Sequence, residues 1–399
     1  MNIGIFASAF HPHLGGVEEM VRQLAHEFQR RGVSPVVITN RWPRSLPVSE
    51  TIEGIPVHRL AMRAPDWNLR VRAVHHLTFY FTRRRMLQIL RDHRIDLLHV
   101  QCVGSNGYYA LVAKRALQLP LVVTAQGERT MDAASIYERS PFLNEALRDL
   151  LREAGHITTC SQNTLDDLEQ WSGASLGAKA SVIYNGVRGD DFAAAGLTPS
   201  PHPRPYILGI GRLVAQKGFD VLIRAFTAAG LRSHDLLIAG EGPERASLEA
   251  LARAAGCGDR IRFIGRAERK EAVVLFHHCA FFVLPSRHEP MGIVNLEAMV
   301  AGKAVIASRT GGVPEIVIDG ETGALIPPDD APALAHALRK FADDPALCAE
   351  LGAAGRRRAE SFTWPAIAES YLDIYAKVLG REFRAPAPVQ PVLASATIL

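Results

Sequence analysis

Short runs of apolar residues alternate with amphipathic helical patterns along most of the 399-residue chain. In the first half the runs begin at residues 3, 36, 96, 121 and 156, and in the second half they begin at residues 206, 236, 262, 281 and 304. Short apolar runs bounded by turn residues are typical of buried strands in a parallel sheet. The intervening segment 17–31 shows the helical pattern, because Val21, Leu24 and Phe28 fall on one face. This alternation predicts an α/β fold built from doubly wound sheets.

The length of the chain is sufficient for two domains, each with a core of its own. Residues 199–205 contain four prolines and form a stiff stretch that a helix cannot cross. We therefore predict a first Rossmann-like domain over residues 1–190 and a second over residues 204–363. Pro and Ala dominate residues 385–399, which predicts a disordered tail.

The composition is that of a soluble globular protein, with 48% hydrophobic and 22% charged residues. No apolar run is long enough to cross a bilayer, and the N-terminus reads as a strand instead of a signal peptide, so we expect a cytoplasmic protein. The five cysteines are scattered without the spacing of metal ligands, which indicates reduced core thiols. A net charge of +4, without any motif of a nucleic-acid-binding module, gives no reason to expect a nucleic-acid partner.

Residues 284–299 carry the first candidate chemistry. A helical pattern opens at Met291 or Gly292, directly after an apolar run and a loop with two prolines. The unpaired N–H groups of a first helical turn suit an anion, and a glycine there lets a ligand approach the backbone. Glu289 precedes this turn and Glu297 lies about two turns into the helix. A carboxylate beside an anion site suits a ligand that carries hydroxyl groups as well as phosphate, as a sugar or a ribose does.

Two cations follow the apolar run at residue 206. Arg212 comes directly after Gly211, and Lys217 lies in the next loop. Open α/β sheets bind ligands at the carboxyl ends of their strands, and an Arg with a Lys at that edge suits a diphosphate. The first strand is followed by Gly15 and Gly16, which form a glycine loop without the G-x-G-x-x-G spacing of a dinucleotide site. A dinucleotide-dependent dehydrogenase is therefore not expected.

The pattern Glu289-Pro290-x-Gly292-x4-Glu297 resembles the E-x7-E motif of retaining glycosyltransferases with the GT-B fold, in particular glycosyltransferase family 4. The pair Arg212 and Lys217 matches the G-R-x4-K sequence of that family, and residues 183–187 match its I-x-N-G-V signature. The resemblance covers residues 1 to about 380. It implies two Rossmann-like domains that face each other across a cleft, with a C-terminal helix (residues 364–381) crossing back to the first domain.

The resemblance also assigns roles to individual residues. The catalytic candidates that it implies are Arg212, Lys217, Glu289 and Gln126. The donor-binding candidates are Gly15, Gly16, Gly211, Gly240, Gly242, Phe263, Ile264, Gly265, Met291, Gly292, Ile293, Val294 and Glu297. In this scheme the cations stabilise the leaving diphosphate, Glu289 binds the donor sugar and Glu297 the ribose, while Phe263 to Gly265 approach the nucleobase.

The implied reaction moves a hexose from a nucleotide-diphosphate sugar, such as a UDP- or GDP-sugar, to an acceptor hydroxyl with retention of configuration. The acceptor is a glycan, a lipid-linked glycan or a small molecule, as in the synthesis of cell-envelope polysaccharides or glycolipids. No cofactor and no essential metal are expected, and the sequence has no Asp-x-Asp metal site.

One position departs from the family pattern. Many members carry a His after the strand that begins at residue 121, where this chain has Gln126. A Gln donates hydrogen bonds to sugar hydroxyls but does not act as a proton acceptor near neutral pH. We expect Gln126 to position the sugar; the alternatives are a contribution from His11 or Glu128, or low activity. Two rival functions remain open, namely a nucleotide-sugar 2-epimerase with the GT-B fold and a non-catalytic nucleotide-sugar-binding protein.

Residues 67–94 combine aromatic and basic residues with few acidic ones. Such a helix suits either an anionic membrane surface or a core-facing position with a solvated basic face. The first alternative predicts peripheral contact with the inner face of the membrane, near a lipid-linked acceptor.

Overall fold

The computed structural model describes residues 1–13, 15–65, 69–129, 136–192 and 195–381, which form two sheets. The strands are β1 (Asn2–Ala7), β2 (Ser34–Asn40), β3 (Ser49–Ile52), β4 (Ile55–Leu60), β5 (Leu97–Gln101), β6 (Leu121–Ala125), β7 (His156–Thr159), β8 (Ala180–Val182), β9 (Tyr206–Ile210), β10 (Asp235–Ala239), β11 (Ile261–Gly265), β12 (Phe281–Leu284), β13 (Val305–Ser308) and β14 (Gly323–Ile326). The first sheet has the order β3-β4-β2-β1-β5-β6-β7-β8 and the second has the order β11-β10-β9-β12-β13-β14.

Helices connect the strands and cover both sheets. They are α1 (Gly16–Arg30), α2 (Leu69–Asp92), α3 (Ser105–Leu117), α4 (Ile136–Arg139), α5 (Pro141–Glu153), α6 (Gln162–Ser172), α7 (Phe219–Ala229), α8 (Arg245–Ala254), α9 (Arg269–His278), α10 (Ile293–Val300), α11 (Val313–Ile316), α12 (Ala331–Asp343), α13 (Pro345–Ala359) and α14 (Trp364–Leu379). Strand β3 pairs antiparallel with β4, and the other strand pairs recorded in the described ranges are parallel. The prediction of two parallel α/β sheets is confirmed.

The apolar patterns of the sequence account for these elements. Strands β6 and β12 are buried along their whole length, as the continuous apolar runs indicated. Helix α1 buries Met20, Val21 and Leu24 against the first sheet, and Gly32, with a positive φ of 73°, follows its end. The parallel arrangement places the carboxyl ends of the strands in each sheet at one edge, so the loops that leave these ends lie together.

The last helix, α14, returns to the first sheet, as the family resemblance implied. Its residues Trp364 and Tyr371 are buried in the same apolar cluster as β1 and α1. The hydroxyl of Tyr375 lies 2.5 Å from Nδ1 of His99 on β5. Burial lowers the pKa of His99 to about 3, so the ring is neutral near neutral pH. Helix α14 therefore completes the core of the first sheet.

Two predicted segments fall partly or wholly outside the described residues. The predicted tail at residues 385–399 lies outside them, as does Trp67 at the start of the basic segment. None of the helices in the described ranges is both long enough and apolar enough to cross a membrane.

Candidate functional site

A buried ion pair lies where β9 and β12 end. Lys217 closes a short 3-10 helix after β9 (Ala215–Lys217), and its ammonium contacts Oε2 of Glu289, which follows β12. Both side chains are about nine-tenths buried, with exposed fractions of 11% and 8%. Ser286 donates a hydrogen bond to the same oxygen over 3.1 Å. Within the described residues, Oε1 of Glu289 has no hydrogen-bond partner and is the oxygen available to a ligand.

Gly292 forms the turn between Glu289 and helix α10. Its φ of +85° lies in the left-handed region, and an added Cβ would lie 2.6 Å from Nδ2 of Asn295 and 3.2 Å from Cγ of Glu289. A residue with a side chain would therefore displace the Glu289 loop. Helix α10 begins at Ile293, one or two residues later than the sequence indicated. The first-turn N–H groups of Ile293 and Val294 thus follow directly on the glycine turn.

Asn295 was not predicted as a site residue. It lies in the first turn of α10, and its side chain is fully buried. Neither its amide nitrogen nor its amide oxygen has a hydrogen-bond partner in the described part of the chain. Buried amides are normally paired, so this one is an exception that calls for a ligand or a water molecule. The surrounding pattern of apolar residues gave no signal that an asparagine at this position would face a polar site.

Four glycines bring the loops after β9, β10 and β11 into backbone contact. The N–H of Gly240 donates to the carbonyl of Gly265 over 2.7 Å, and the N–H of Gly211 donates to that of Ala239 over 3.0 Å. A Cβ added to Gly240 would lie 1.9 Å from the carbonyl oxygen of Gly211. One added to Gly242 would lie 2.2 Å from the carbonyl oxygen of Leu213. The predicted glycines therefore join these loops at one edge of the sheet.

Arg212 and Lys217 have different environments. Arg212 is exposed, and no ion pair or side-chain hydrogen bond is recorded for it among the described residues. Lys217 is held by Glu289. One cation is therefore free to contact a ligand, whereas the other is already oriented by a carboxylate.

Glu297 is held by an arginine that sequence reasoning missed. Nη1 of Arg269, at the start of α9, contacts Oε1 of Glu297, and its Nε donates to Asp191 over 2.8 Å. Burial raises the pKa of Glu297, and Arg269 offsets this only in part. Oε2 of Glu297 makes no hydrogen bond to the described residues. Arg269 and Glu297 are 28 positions apart in the sequence, and no spacing pattern predicts a contact over that distance.

Gln126 forms a reciprocal amide pair with Asn185 of the I-x-N-G-V segment. Nδ2 of Asn185 donates to Gln126 over 2.9 Å, and Nε2 of Gln126 donates to Asn185 over 3.3 Å. The N–H of Asn185 points to Sδ of Met291 at 3.1 Å. This chain of contacts places Gln126 of the first domain beside the loop that carries Glu289.

Glu128 and His11 were the two alternative contributors near Gln126. The carboxylate of Glu128 accepts hydrogen bonds from the N–H groups of Val103 and Gln126, the latter over 3.0 Å, and burial raises its pKa. Glu128 therefore holds the backbone of Gln126 in place. The carbonyl of His11 accepts a hydrogen bond from Arg59 over 2.6 Å.

The glycine loop of the first domain reaches the start of α10. An added Cβ on Gly16 would lie 3.7 Å from Cδ1 of Ile293, and Gly15 and Gly16 are both exposed. The predicted residues of the two domains thus meet around Ile293.

The three consecutive residues expected near the nucleobase have different surroundings in the structure. Gly265 joins the glycine loops through Gly240, as described above. Phe263 and Ile264 instead line a cavity of about 1110 Å³ at the edge strand β11, together with Arg262 and Lys270. Over the described ranges, no group of three or more His, Cys, Asp or Glu side chains is arranged to hold a metal ion.

Comparisons with known proteins identify the family. The model of Glycosyltransferase Family 4 matches residues 14–190, and that of Glycosyl transferases group 1 matches residues 197–358. Glycogen synthase of Mycobacterium tuberculosis is 30% identical over 95% of this chain and 95% of its own length. D-inositol 3-phosphate glycosyltransferase of Corynebacterium diphtheriae is 34% identical over 90% of this chain and 89% of its own length.

A solved structure shows the same fold. Anabaena HepE in complex with UDP-glucose superposes with a TM-score of 0.77 at 20% identity, covering 94% of this chain and 100% of that chain. These comparisons support neither the epimerase nor the non-catalytic binding protein. With two parallel α/β sheets, a returning C-terminal helix and these relatives, the chain belongs to glycosyltransferase family 4 and is a glycosyltransferase with the GT-B fold.

Proposed function

We propose that the protein transfers a hexose from a nucleotide-diphosphate sugar to an acceptor hydroxyl with retention of configuration. The observation that carries this proposal is the buried pair of Lys217 and Glu289, which lies next to Gly292 and the start of α10. A cation and a carboxylate in one buried pocket suit a ligand that presents phosphate and hydroxyl groups side by side.

The leaving group determines what the site has to stabilise. Negative charge develops on the diphosphate as its bond to the sugar breaks, and preorganised positive groups stabilise that charge. Arg212 and Lys217 supply two full charges, and the N–H groups of Ile293 and Val294 supply partial ones. These groups provide electrostatic stabilisation without a metal ion, so we propose that none is required.

The carboxylates and amides then hold the two sugar rings. In this proposal Oε1 of Glu289 accepts a hydrogen bond from a hydroxyl of the donor sugar, and Oε2 of Glu297 accepts one from the ribose. Gln126 contacts the transferred sugar through its amide, oriented by Asn185 and by the bond from its N–H to Glu128. An amide in this position orients the sugar and accepts no proton.

The UDP-glucose bound to HepE, together with the nucleotide-sugar chemistry of the family, supports UDP-glucose as the first donor to test. The experiment is to incubate the protein with UDP-glucose, GDP-mannose or ADP-glucose and to measure nucleotide release with and without glycogen or inositol phosphate. Acceptor-dependent release of nucleotide is expected with one donor, and an axial anomer by NMR supports retention. Donor binding without release, or an equatorial product, would contradict the proposal.

We also propose that α2 contacts an anionic membrane surface. Phe79 packs against Tyr108 and Tyr109 of α3, whereas Tyr80 and Phe81 are 59% and 70% exposed. Arg84 and Arg85 follow them on the exposed surface. Exposed aromatic side chains beside arginines suit the headgroup region of an anionic bilayer. Binding to liposomes with anionic lipid at low salt is expected, and a Tyr80→Ser, Phe81→Ser variant should lose it; equal binding of both would contradict this proposal.

A further inference from the structure

The carboxylate of Glu315 bridges the two domains. Glu315 lies on α11 of the second domain, and its two oxygens accept hydrogen bonds from the N–H groups of Gln162 and Asn163 over 2.8 and 3.0 Å. These are the first two residues of α6 in the first domain. The hydroxyl of Tyr184 donates to Oε2 of Glu315 over 3.1 Å. Two backbone N–H groups and one hydroxyl, all from residues that precede the second domain in the chain, thus donate to one carboxylate.

The start of α6 explains why a carboxylate fits there. The first-turn N–H groups of a helix lack partners within the helix and carry partial positive charge. Ser161 satisfies the third of them, because its hydroxyl accepts from the N–H of Thr164 over 3.1 Å. The N–H groups of Gln162 and Asn163 are satisfied by Glu315 of the other domain. The capping of α6 is therefore complete only while the two domains are in contact.

The loop that directly precedes α11 contacts the candidate active site. The N–H of Gly312 lies 3.1 Å from the carbonyl oxygens of both Glu289 and Pro290. An added Cβ on Gly311 would lie 1.9 Å from the carbonyl oxygen of Glu289, and one on Gly312 would lie 2.5 Å from Cβ of Ser161. Two glycines thus form a thin spacer between the first domain and the loop of Glu289, where no side chain fits.

We propose that Glu315 is a positioning residue that latches the first domain to the second and thereby holds the Glu289 loop in its catalytic place. The inference rests on the role proposed for Glu289. Opening of the cleft breaks the three hydrogen bonds to Glu315. The carboxylate and the N–H groups of Gln162 and Asn163 then have only water as a hydrogen-bond partner. A carboxylate accepts stronger bonds from these donors than a neutral group does, so the charge of Glu315 favours the closed arrangement.

The test is the substitution Glu315→Gln, which keeps the size of the side chain but removes its charge. Glu321→Gln is the matched control, since Glu321 is exposed on the same domain and its side chain has no partner in the described structure. With UDP-glucose as the probe, Glu315→Gln should lower kcat about tenfold and leave KM for UDP-glucose within about twofold, because the closed population falls while the donor contacts remain. Small-angle scattering should give a larger radius of gyration for Glu315→Gln than for the wild type.

A second variant separates the latch from a general loss of structure. Tyr184→Phe removes one of the three donors and leaves the capping of α6 in place, so its kcat should fall less than that of Glu315→Gln. Wild-type kcat and scattering in Glu315→Gln would overturn the proposal, as would a KM that rises together with a matching fall in melting temperature. If the wild type turns over none of the nucleotide sugars, the proposed function fails, whereas the scattering comparison still decides whether the latch exists.

Discussion

The ammonium of Lys217 and the carboxylate of Glu289 form a buried ion pair although 72 positions separate them in the sequence. Because a buried charge without a partner is costly, the two side chains stay together and each fixes the orientation of the other. A nucleotide sugar that enters this pocket therefore meets a cation and a carboxylate that are already positioned.

Lys217→Met is expected to lower the turnover of the nucleotide sugar by at least about 100-fold, since it removes positive charge from the developing diphosphate. It should also lower the free energy of unfolding by about 3 kcal/mol, because Glu289 is left buried without its partner. Steady-state kinetics and chemical denaturation measure the two effects. Lys340→Met is the control, as Lys340 is exposed on α12. Near-normal turnover in Lys217→Met would remove this residue from the site.

Arg212→Ala should weaken donor binding and leave stability unchanged. The side chain is exposed and without an ion pair in the described ranges, so the free energy of unfolding should stay within about 0.5 kcal/mol of the wild type. The loss of a charge-assisted contact to the diphosphate should raise KM for the nucleotide sugar by about tenfold or more. Arg232→Ala, at another exposed arginine, is expected to change neither quantity. An unchanged KM in Arg212→Ala would show that this guanidinium does not contact the donor.

Gln126→Ala should lower turnover by about tenfold with little change in donor affinity, because a lost hydrogen bond to the transferred sugar acts mainly on its orientation. The variant also leaves the amide of Asn185 without its partner. Kinetics with the donor that the wild type uses, together with the thermal shift caused by UDP, separate turnover from binding. Gln88→Ala on the exposed side of α2 is the control. Wild-type rates in Gln126→Ala would place this residue outside the site.

Removal of divalent metal should leave turnover unchanged, because Arg212, Lys217 and the start of α10 are proposed to stabilise the leaving group. The measurement compares nucleotide release before and after dialysis against excess EDTA. A loss of activity that returns with Mg²⁺ or Mn²⁺ would contradict this prediction.

We predict that the folded protein loses stability in mild acid because of His58. Burial, together with the neighbouring His93 and Arg85, lowers the pKa of His58 to about 4 from its ordinary value of 6.5. Between these values the unfolded chain binds more protons than the folded protein does. The stabilising effect of neutral His58 is therefore complete above pH 6.5 and is lost as the pH falls toward 4.

Thermal unfolding between pH 7.5 and 4.5 tests this prediction. The wild type should lose more stability over that interval than His58→Gln does, and His336→Gln at an exposed position should follow the wild type. Parallel curves for the wild type and His58→Gln would show that His58 does not cause the pH dependence.

Features that depend on local sequence could be predicted from the chain. The apolar runs placed most strands, and the turn at Gly292 was expected because helix-end amides and a glycine occur together there. Ser161 directly precedes the helical segment of α6, as is typical of an N-cap, and its hydroxyl accepts from the N–H of Thr164. In these cases the cause lies within a few residues, so that spacing and residue type were sufficient.

The pairings across the fold could not be predicted. Arg269 with Glu297, Gln126 with Asn185, and Glu315 with the start of α6 are each formed by residues from different elements. Their contacts depend on how the sheets and helices pack, which hydrophobic periodicity does not specify. The sequence therefore suggests candidate side chains one at a time, and it does not indicate the partners that orient them.

The return of α14 to the first sheet also affects the order in which the protein matures on the ribosome. Tyr375 is made 276 residues after His99, its partner on β5. At roughly 5–20 residues per second, the strands of the first domain wait about 14–55 seconds for their last helix. During that time the apolar groove that receives α14 is open to chaperones, and a truncation just before Trp364 would damage the first domain instead of the second.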